Sequence, residues 1–316
     1  MESIRKWISE LGLNVELCVL CQKSNLLCES HIIPSFVTKW IKDTSVTGYL
    51  RGVENPNLRM QDSRKYKLLC NDCEQIFSAW EREFAQKVFF PYVKEELSSQ
   101  MSYQGKIGEI PYDKWLLNFC LSVQWRGLVT CFEAEDCKDS HRLELIKAIH
   151  LWKDYFQGLR PDTGSWRTYL FFFENLAFAS GDEWPERMPG NANHYVLRAV
   201  DFTILENNKR LMVFSKMGPM AICTSLVPSV LPAERHFQVR LKGKINIRTF
   251  MNDPAIGTFL CIERPTQVQS EGRPSDRQIA RILEDFKKNG HRDAESLTRI
   301  AIQGDVLIQR SIKGEF

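Results

Sequence analysis

Hydrophobic and polar positions along the 316 residues change period several times. Ile4, Trp7, Ile8 and Leu11 recur at helical spacing between Arg5, Lys6 and Glu10, predicting an amphipathic helix over residues 3–11 that stops at Gly12. The run Ser30-His31-Ile32-Ile33-Pro34 predicts a short strand ending at the proline. Phe36, Val37, Trp40 and Ile41 then share one face of a helix over 35–43, and residues 44–64, with Gly48, Gly52 and Asn55-Pro56-Asn57, predict a loop with a short strand. Phe77, Trp80, Phe84 and Val88 predict a helix from Glu74 to about Val88, closed by Phe90-Pro91. The polar stretch 94–108 predicts a linker.

Beyond Pro111 and Asp113, the residues Trp115, Leu116, Phe119, Cys120 and Val123 mark a strongly apolar helix, and Leu145, Ile146, Ile149, Trp152 and Phe156 a second one over 140–156. Past Pro161 the period turns strand-like. Residues 166–173, 200–204, 211–214 (after an Asn207-Asn208 turn), 220–226 and 244–250 are strand candidates, so 165–262 is expected to form an antiparallel sheet on those two helices. A polar loop over 267–273 precedes a helix with Ser275 and Gln278 as a capping box, Ile279, Ile282, Leu283 and Phe286 as its apolar face, and Asn289-Gly290 at its end. A last helix is expected from Asp293, carrying Leu297, Ile300 and Ala301. The expected fold class is α+β: a treble-clef-like ββα module within residues 1–95, followed by a larger helical and antiparallel-sheet domain over 110–316.

Composition adds limits to this picture. With 43% hydrophobic and 11% aromatic residues the chain can bury a substantial core. A net charge of +3 is mild, so nucleic-acid binding has to come from a local patch. Residues 35–67 hold seven basic side chains against three acidic ones, and Arg59, Arg64, Lys65 and Lys67 are the candidates for contacting phosphate. Arg240, Lys242, Lys244 and Arg248 form a smaller basic alternation that suits either phosphate or a guarded edge strand. Ten cysteines behind a charged, amphipathic amino terminus predict reduced thiols in a cytoplasmic setting, with Cys120 and Cys131 in the core. No apolar run is long enough for a bilayer. His141 and His150 lack partners at ligand spacing and are expected to be structural or at the surface. No repeat, phosphate-cradling glycine loop or Ser/His/Asp arrangement occurs.

The strongest chemical signal lies within residues 18–81. Cys18-Val19-Leu20-Cys21 and Cys70-Asn71-Asp72-Cys73 are two Cys-x-x-Cys knuckles, each behind an apolar lead-in. Two such turns complete a four-sulfur shell for structural Zn2+ and leave no open position for a substrate. The plain alternative is four reduced core thiols. Between the knuckles lies His31, and behind the second one Glu74, Ser78 and Glu81 fall within roughly 60° of arc on one helical face.

These residues resemble the HNH nucleases of the His-Me finger (ββα-metal) superfamily in its zinc-stapled form, over about residues 15–90. The run from His31 to Pro34 matches the family's general-base histidine with its apolar stretch and proline. Ser30 stands where a metal ligand usually stands, Glu74 and Ser78 occupy the helix positions of the family's His or Asn, and the family's central Asn has Asp62 as its nearest polar counterpart. The resemblance implies hydrolysis of DNA phosphodiester bonds with His31 as general base and a divalent ion, Mg2+ or Mn2+, at Glu74, with Asp62 and Glu81 as further candidate ligands. It also implies a setting in bacterial defence or mobile elements, where such modules are fused to sensing or targeting domains. Residues 110–316 are then the expected site of a signal ligand, a protein partner or self-association. Ser30 and the missing Asn favour a different class: a non-catalytic, zinc-stabilised module that binds nucleic acid or protein. A zinc enzyme with His31 as fourth ligand is a third reading, which the paired knuckles disfavour.

Overall fold

The computed structural model describes residues 2–97, 101–131, 137–179, 184–245, 247, 252–289 and 296–315. Its first helix, α1 (Glu2–Glu10), buries Ile4, Trp7 and Ile8, and the Trp7 indole donates to the Leu128 carbonyl, fastening the helix to the centre of the molecule. The antiparallel strands β1 (Leu27–His31) and β2 (Lys65–Cys70) follow, with α2 (Ser35–Asp43) inserted between them and α3 (Asn71–Phe84) running directly out of β2. Their register places Leu27 opposite Cys70, Ser30 opposite Tyr66 and His31 opposite Lys65. The ββα arrangement expected from the sequence is present.

The expected end of this helix at Phe90-Pro91 is not observed. Phe90 and Pro91 keep helical backbone angles, and two wide turns, Ala85–Phe89 and Tyr92–Glu96, carry the chain on to Leu97. Bonds of the i→i−5 type, Phe90 N–H to Ala85 and Leu97 N–H to Tyr92, flank the proline and accommodate a residue that has no N–H to give. The stretch expected to be a linker folds onto the protein where it is described. Leu97 and Met101 are buried, and the fully buried Glu96 accepts from the Ile107 N–H. Ser98, Ser99 and Gln100 lie outside the described residues.

β3 (Ile110–Tyr112) leads into α4 (Lys114–Thr130), whose Asp113 cap accepts from the Trp115 N–H. Nearly every residue of α4 is buried, because it is packed by α1, α3, α5 (Asp139–Phe156) and the large sheet. That sheet has the order β5-β6-β7-β4-β8, built from β4 (Arg167–Phe172), β5 (Val200–Glu206), β6 (Leu211–Met217), β7 (Met220–Val227) and β8 (Gln238–Val239). Its pairings are antiparallel, as expected, and between β4 and β5 lie α6 (Leu176–Ala179) and α7 (Ala192–Arg198). Cys120 and Cys131 are buried thiols, and His141 pairs with Glu206 at 2.7 Å.

Four expectations for the later chain need correction. The strand candidate over 244–250 is the three-residue β9 (Gly243–Ile245), paired with β3 in a separate small sheet, and Arg248 and Phe250 lie outside the described residues. The sheet does not run to 262, nor is 267–273 a loop. Helices α8 (Pro254–Thr258) and α9 (Arg264–Glu271), joined by a wide turn over Phe259–Glu263, occupy this region because Ile256, Phe259 and Leu260 bury a helical face on the sheet's second core. Ser275 precedes α10 (Asp276–Lys288), but its hydroxyl forms no capping box and donates to Asn57 across the molecule. The last helix, α11 (Leu297–Lys313), is capped by Ser296; Asp293 and Gly290 lie outside the described residues. One main core includes side chains from Ile4 to Ala301, so the ββα module and the sheet share it. No described helix is long and apolar enough to cross a membrane.

Candidate functional site

The two knuckles converge. The Sγ atoms of Cys18, Cys21, Cys70 and Cys73 all lie within 4.8 Å of one another, and Cys21 Sγ is 3.8 Å from Cys70 Sγ. A disulfide needs about 2.0 Å, whereas a tetrahedron with Zn–S bonds of about 2.3 Å has edges of about 3.8 Å. The backbone explains the convergence. Gln22 adopts φ 56° and donates to the Cys18 carbonyl, which reverses the chain after Cys21, and the Val19 N–H donates to the Leu68 carbonyl, which docks this turn on β2. Cys70 caps α3 and Cys73 sits in its first turn, where free N–H groups and the helix dipole favour thiolate. Burial pushes the Cys21 thiol up, but the Lys23 N–H and the neighbouring thiols outweigh it and bring it to about 7. Burial is the main cause that pushes Cys18 and Cys73 the other way. The four residues fit structural zinc.

Successive strand residues point to opposite faces, and β1 uses this. Ser30, fully buried, faces α3 and donates its hydroxyl to Glu74 Oε2 at 2.7 Å. His31 faces the other way, where its Nε2 is 2.7 Å from Asp62 Oδ2. Asp62 is held in place by the Ser63 N–H at 2.9 Å and the Thr38 hydroxyl of α2 at 3.3 Å, and its loop is stitched to β1 by Ile32 N–H to Arg64 O and by the Ser63 hydroxyl to Ile33 O. Burial raises the Asp62 carboxyl, yet the hydrogen bond and charge of His31, with Ser63 and Thr38, hold it below the usual carboxylate range. An ionised carboxylate only accepts, so Nε2 carries a proton, and in the neutral imidazole it is Nδ1 that keeps the lone pair. Among the described residues no hydrogen bond occupies Nδ1.

The three carboxylates expected around a catalytic ion are not brought together. Glu74 is bound to Ser30, Asp62 to His31, and Glu81 to the guanidinium of Arg126 at 2.5 Å. Among the described residues the four cysteines are the only His, Cys, Asp or Glu group of three or more whose donor atoms converge. Arg126 was not anticipated from the sequence. The signal was the one charged residue of α4 beyond its first position, and it is 1% exposed, with its guanidinium over the Phe77 ring.

Most of the basic candidates are engaged at the surface. Arg59 binds Asp285 of α10 at 2.7 Å, Arg64 binds Glu54 at 2.5 Å and Lys65 binds Glu29 at 2.7 Å, while Lys67 is exposed. Exposed pairs of this kind are screened by solvent and contribute little, so a phosphate can displace them. Arg240, Lys242 and Lys244 do not alternate along one strand. They span the turn from β8 to β9, with Lys244 bound to Glu109. Comparison of the chain with protein-family models, curated proteins and solved structures returns no significant match.

Proposed function

We propose that the ββα module is an HNH-type, metal-dependent endonuclease that hydrolyses phosphodiester bonds of DNA, with His31 as its general base. The His31–Asp62 hydrogen bond carries this reading. Asp62 accepts the Nε2 proton and fixes the tautomer, so Nδ1 can take a proton from water, and the same carboxylate stabilises the imidazolium that results. Glu74, which the Ser30 hydroxyl holds on the face of β1 opposite His31, is the carboxylate that would hold Mg2+ or Mn2+; one carboxylate with waters and substrate phosphate is a usual set for magnesium. When bound, such an ion polarises the phosphate and stabilises the departing oxygen. Lys65, opposite His31 in the β1–β2 register, with Arg64 and Lys67 beside it, supplies cations for the phosphate path. Fusion to a large α+β body suits a gated nuclease of bacterial defence or mobile elements.

The test is a time course on supercoiled plasmid with Mg2+, Mn2+ or EDTA, run beside His31→Ala and Glu74→Ala with zinc measured on each sample. Ion-dependent cleavage lost in both variants, with zinc retained, is the expected result. Undiminished cleavage by His31→Ala would sink the reading. A second reading, a non-catalytic zinc-stabilised module that binds nucleic acid or protein, is favoured by the separate partners of Glu74 and Glu81. It predicts DNA affinity that falls with salt and no strand scission under any of these conditions.

A further inference from the structure

Between the ββα module, β5 and the carboxy-terminal helices lies a cavity of about 520 Å³, within the range of small-molecule sites. Its chemistry is unbalanced. Arg264 in its wall is answered by both oxygens of Asp201, but Arg198 has no carboxylate partner among the described residues although it is only 4% exposed. Arg198 donates to the Ile41 carbonyl and the Thr44 hydroxyl, each at 2.7 Å, and lies over the Trp40 ring. The end of α2 offers it only about half a negative charge, which does not balance a desolvated cation. Among the described residues its Nε has no hydrogen-bond partner, and neither has Oδ1 of Asn191, a second buried polar atom of a residue in the same wall. The rest of the lining includes aromatic and aliphatic side chains, among them Phe202 and Ile302.

We propose that this cavity binds a small organic oxyanion, a phosphate or carboxylate on an aromatic or apolar body that also carries a hydroxyl or N–H donor. The oxyanion supplies the counter-charge of Arg198, the donor answers Asn191, and the body fills the apolar wall. Burial pushes the Arg198 guanidinium down to about 9, a strain that a bound anion relieves. The proposal does not rest on the nuclease reading, since its evidence is the cavity and its unpaired groups.

Thermal unfolding of the full chain tests it with two probe pairs, adenosine monophosphate against adenosine, and 4-hydroxyphenylacetate against 4-hydroxyphenylethanol. At least one anion is expected to raise the midpoint by roughly 2 °C or more at millimolar concentration while its neutral counterpart does not. Which anion acts separates phosphate from carboxylate. The shift should vanish in Arg198→Gln, and also in Ile302→Trp, where a partly exposed wall residue is enlarged and Arg198 is untouched. If Arg198→Gln does not fold, Ile302→Trp decides. No shift with either anion, an equal shift with a neutral counterpart, or a full shift retained in Ile302→Trp would overturn the proposal.

Discussion

Asp62 Oδ2 lies 2.7 Å from Nε2 of His31, and the two residues reach each other across 31 positions of chain that include all of α2. The carboxylate determines which imidazole nitrogen carries the proton, and therefore which one can accept a proton from water. Asp62→Asn should keep the shape and lose that control, because an amide can donate or accept. On the proposed nuclease reading, cleavage is expected to fall by about 100-fold or more, in the range of general-base effects, with zinc content unchanged. Single-turnover rates of the variant and wild type at matched divalent ion measure this, and equal rates would remove Asp62 from the mechanism.

Arg126, which is buried, and Glu81, which is partly exposed, form an ion pair between α4 and α3. Losing Glu81 leaves the buried Arg126 guanidinium without its counter-charge, so Glu81→Leu alone should destabilise by about 3–5 kcal/mol, and Arg126→Met, which leaves the partly exposed carboxylate, by less. The double variant Arg126→Met with Glu81→Leu should recover a large part of that loss, since both charges are then gone. Denaturant unfolding of the two singles and the double provides the cycle, and strictly additive losses would show that the pair is not coupled.

Asp305 of α11 accepts the N–H groups of Asn193 and His194 in the first turn of α7, yet burial outweighs these bonds and raises its carboxyl to about 7. A raised carboxylic acid is protonated more readily folded than unfolded. Its stabilising contribution is therefore full below the unfolded value near 4 and is lost as pH rises towards 7, by on the order of 3 kcal/mol. The His194 ring, pushed down to about 4 first by burial and then by Arg198, acts in the opposite sense. The difference between wild type and Asp305→Asn isolates the carboxyl. The variant is expected to be the more stable protein at pH 7.5, with the gap closing at pH 5, and a gap independent of pH would contradict this account.

The four cysteines tie the turn before β1 to the start of α3. Cys70→Ser removes the residue that both ends β2 and begins α3, so zinc should fall from one per chain towards none and the unfolding midpoint should drop by several degrees. Chelation of the wild type should reproduce the drop, and zinc should restore it. A variant that loses zinc with no change in midpoint would mean that the core around Leu68, Leu69 and Phe77 holds the module without the ion.

Local spacing determined much of this protein. The Cys-x-x-Cys turns and the apolar faces of α1, α2, α4 and α5 are legible because each depends on residues within a few positions of one another, whereas the first strand was expected over 30–34 and spans Leu27–His31. The helical class of residues 254–271 was not legible, since Ile256, Phe259 and Leu260 suit either a helix or a strand until the sheet beneath them is known. The passage of the third helix through Pro91 depends on wide turns that no periodicity announces. Tertiary structure alone decided the partners of the charged groups: Asp62 with His31, Glu81 with Arg126, and Arg198 beside a cavity with no carboxylate among the described residues. The physical reason is range. Backbone preference and amphipathic period act within a few residues of chain, whereas a buried charge is answered by whatever the fold brings within about 3 Å, from any distance along the sequence.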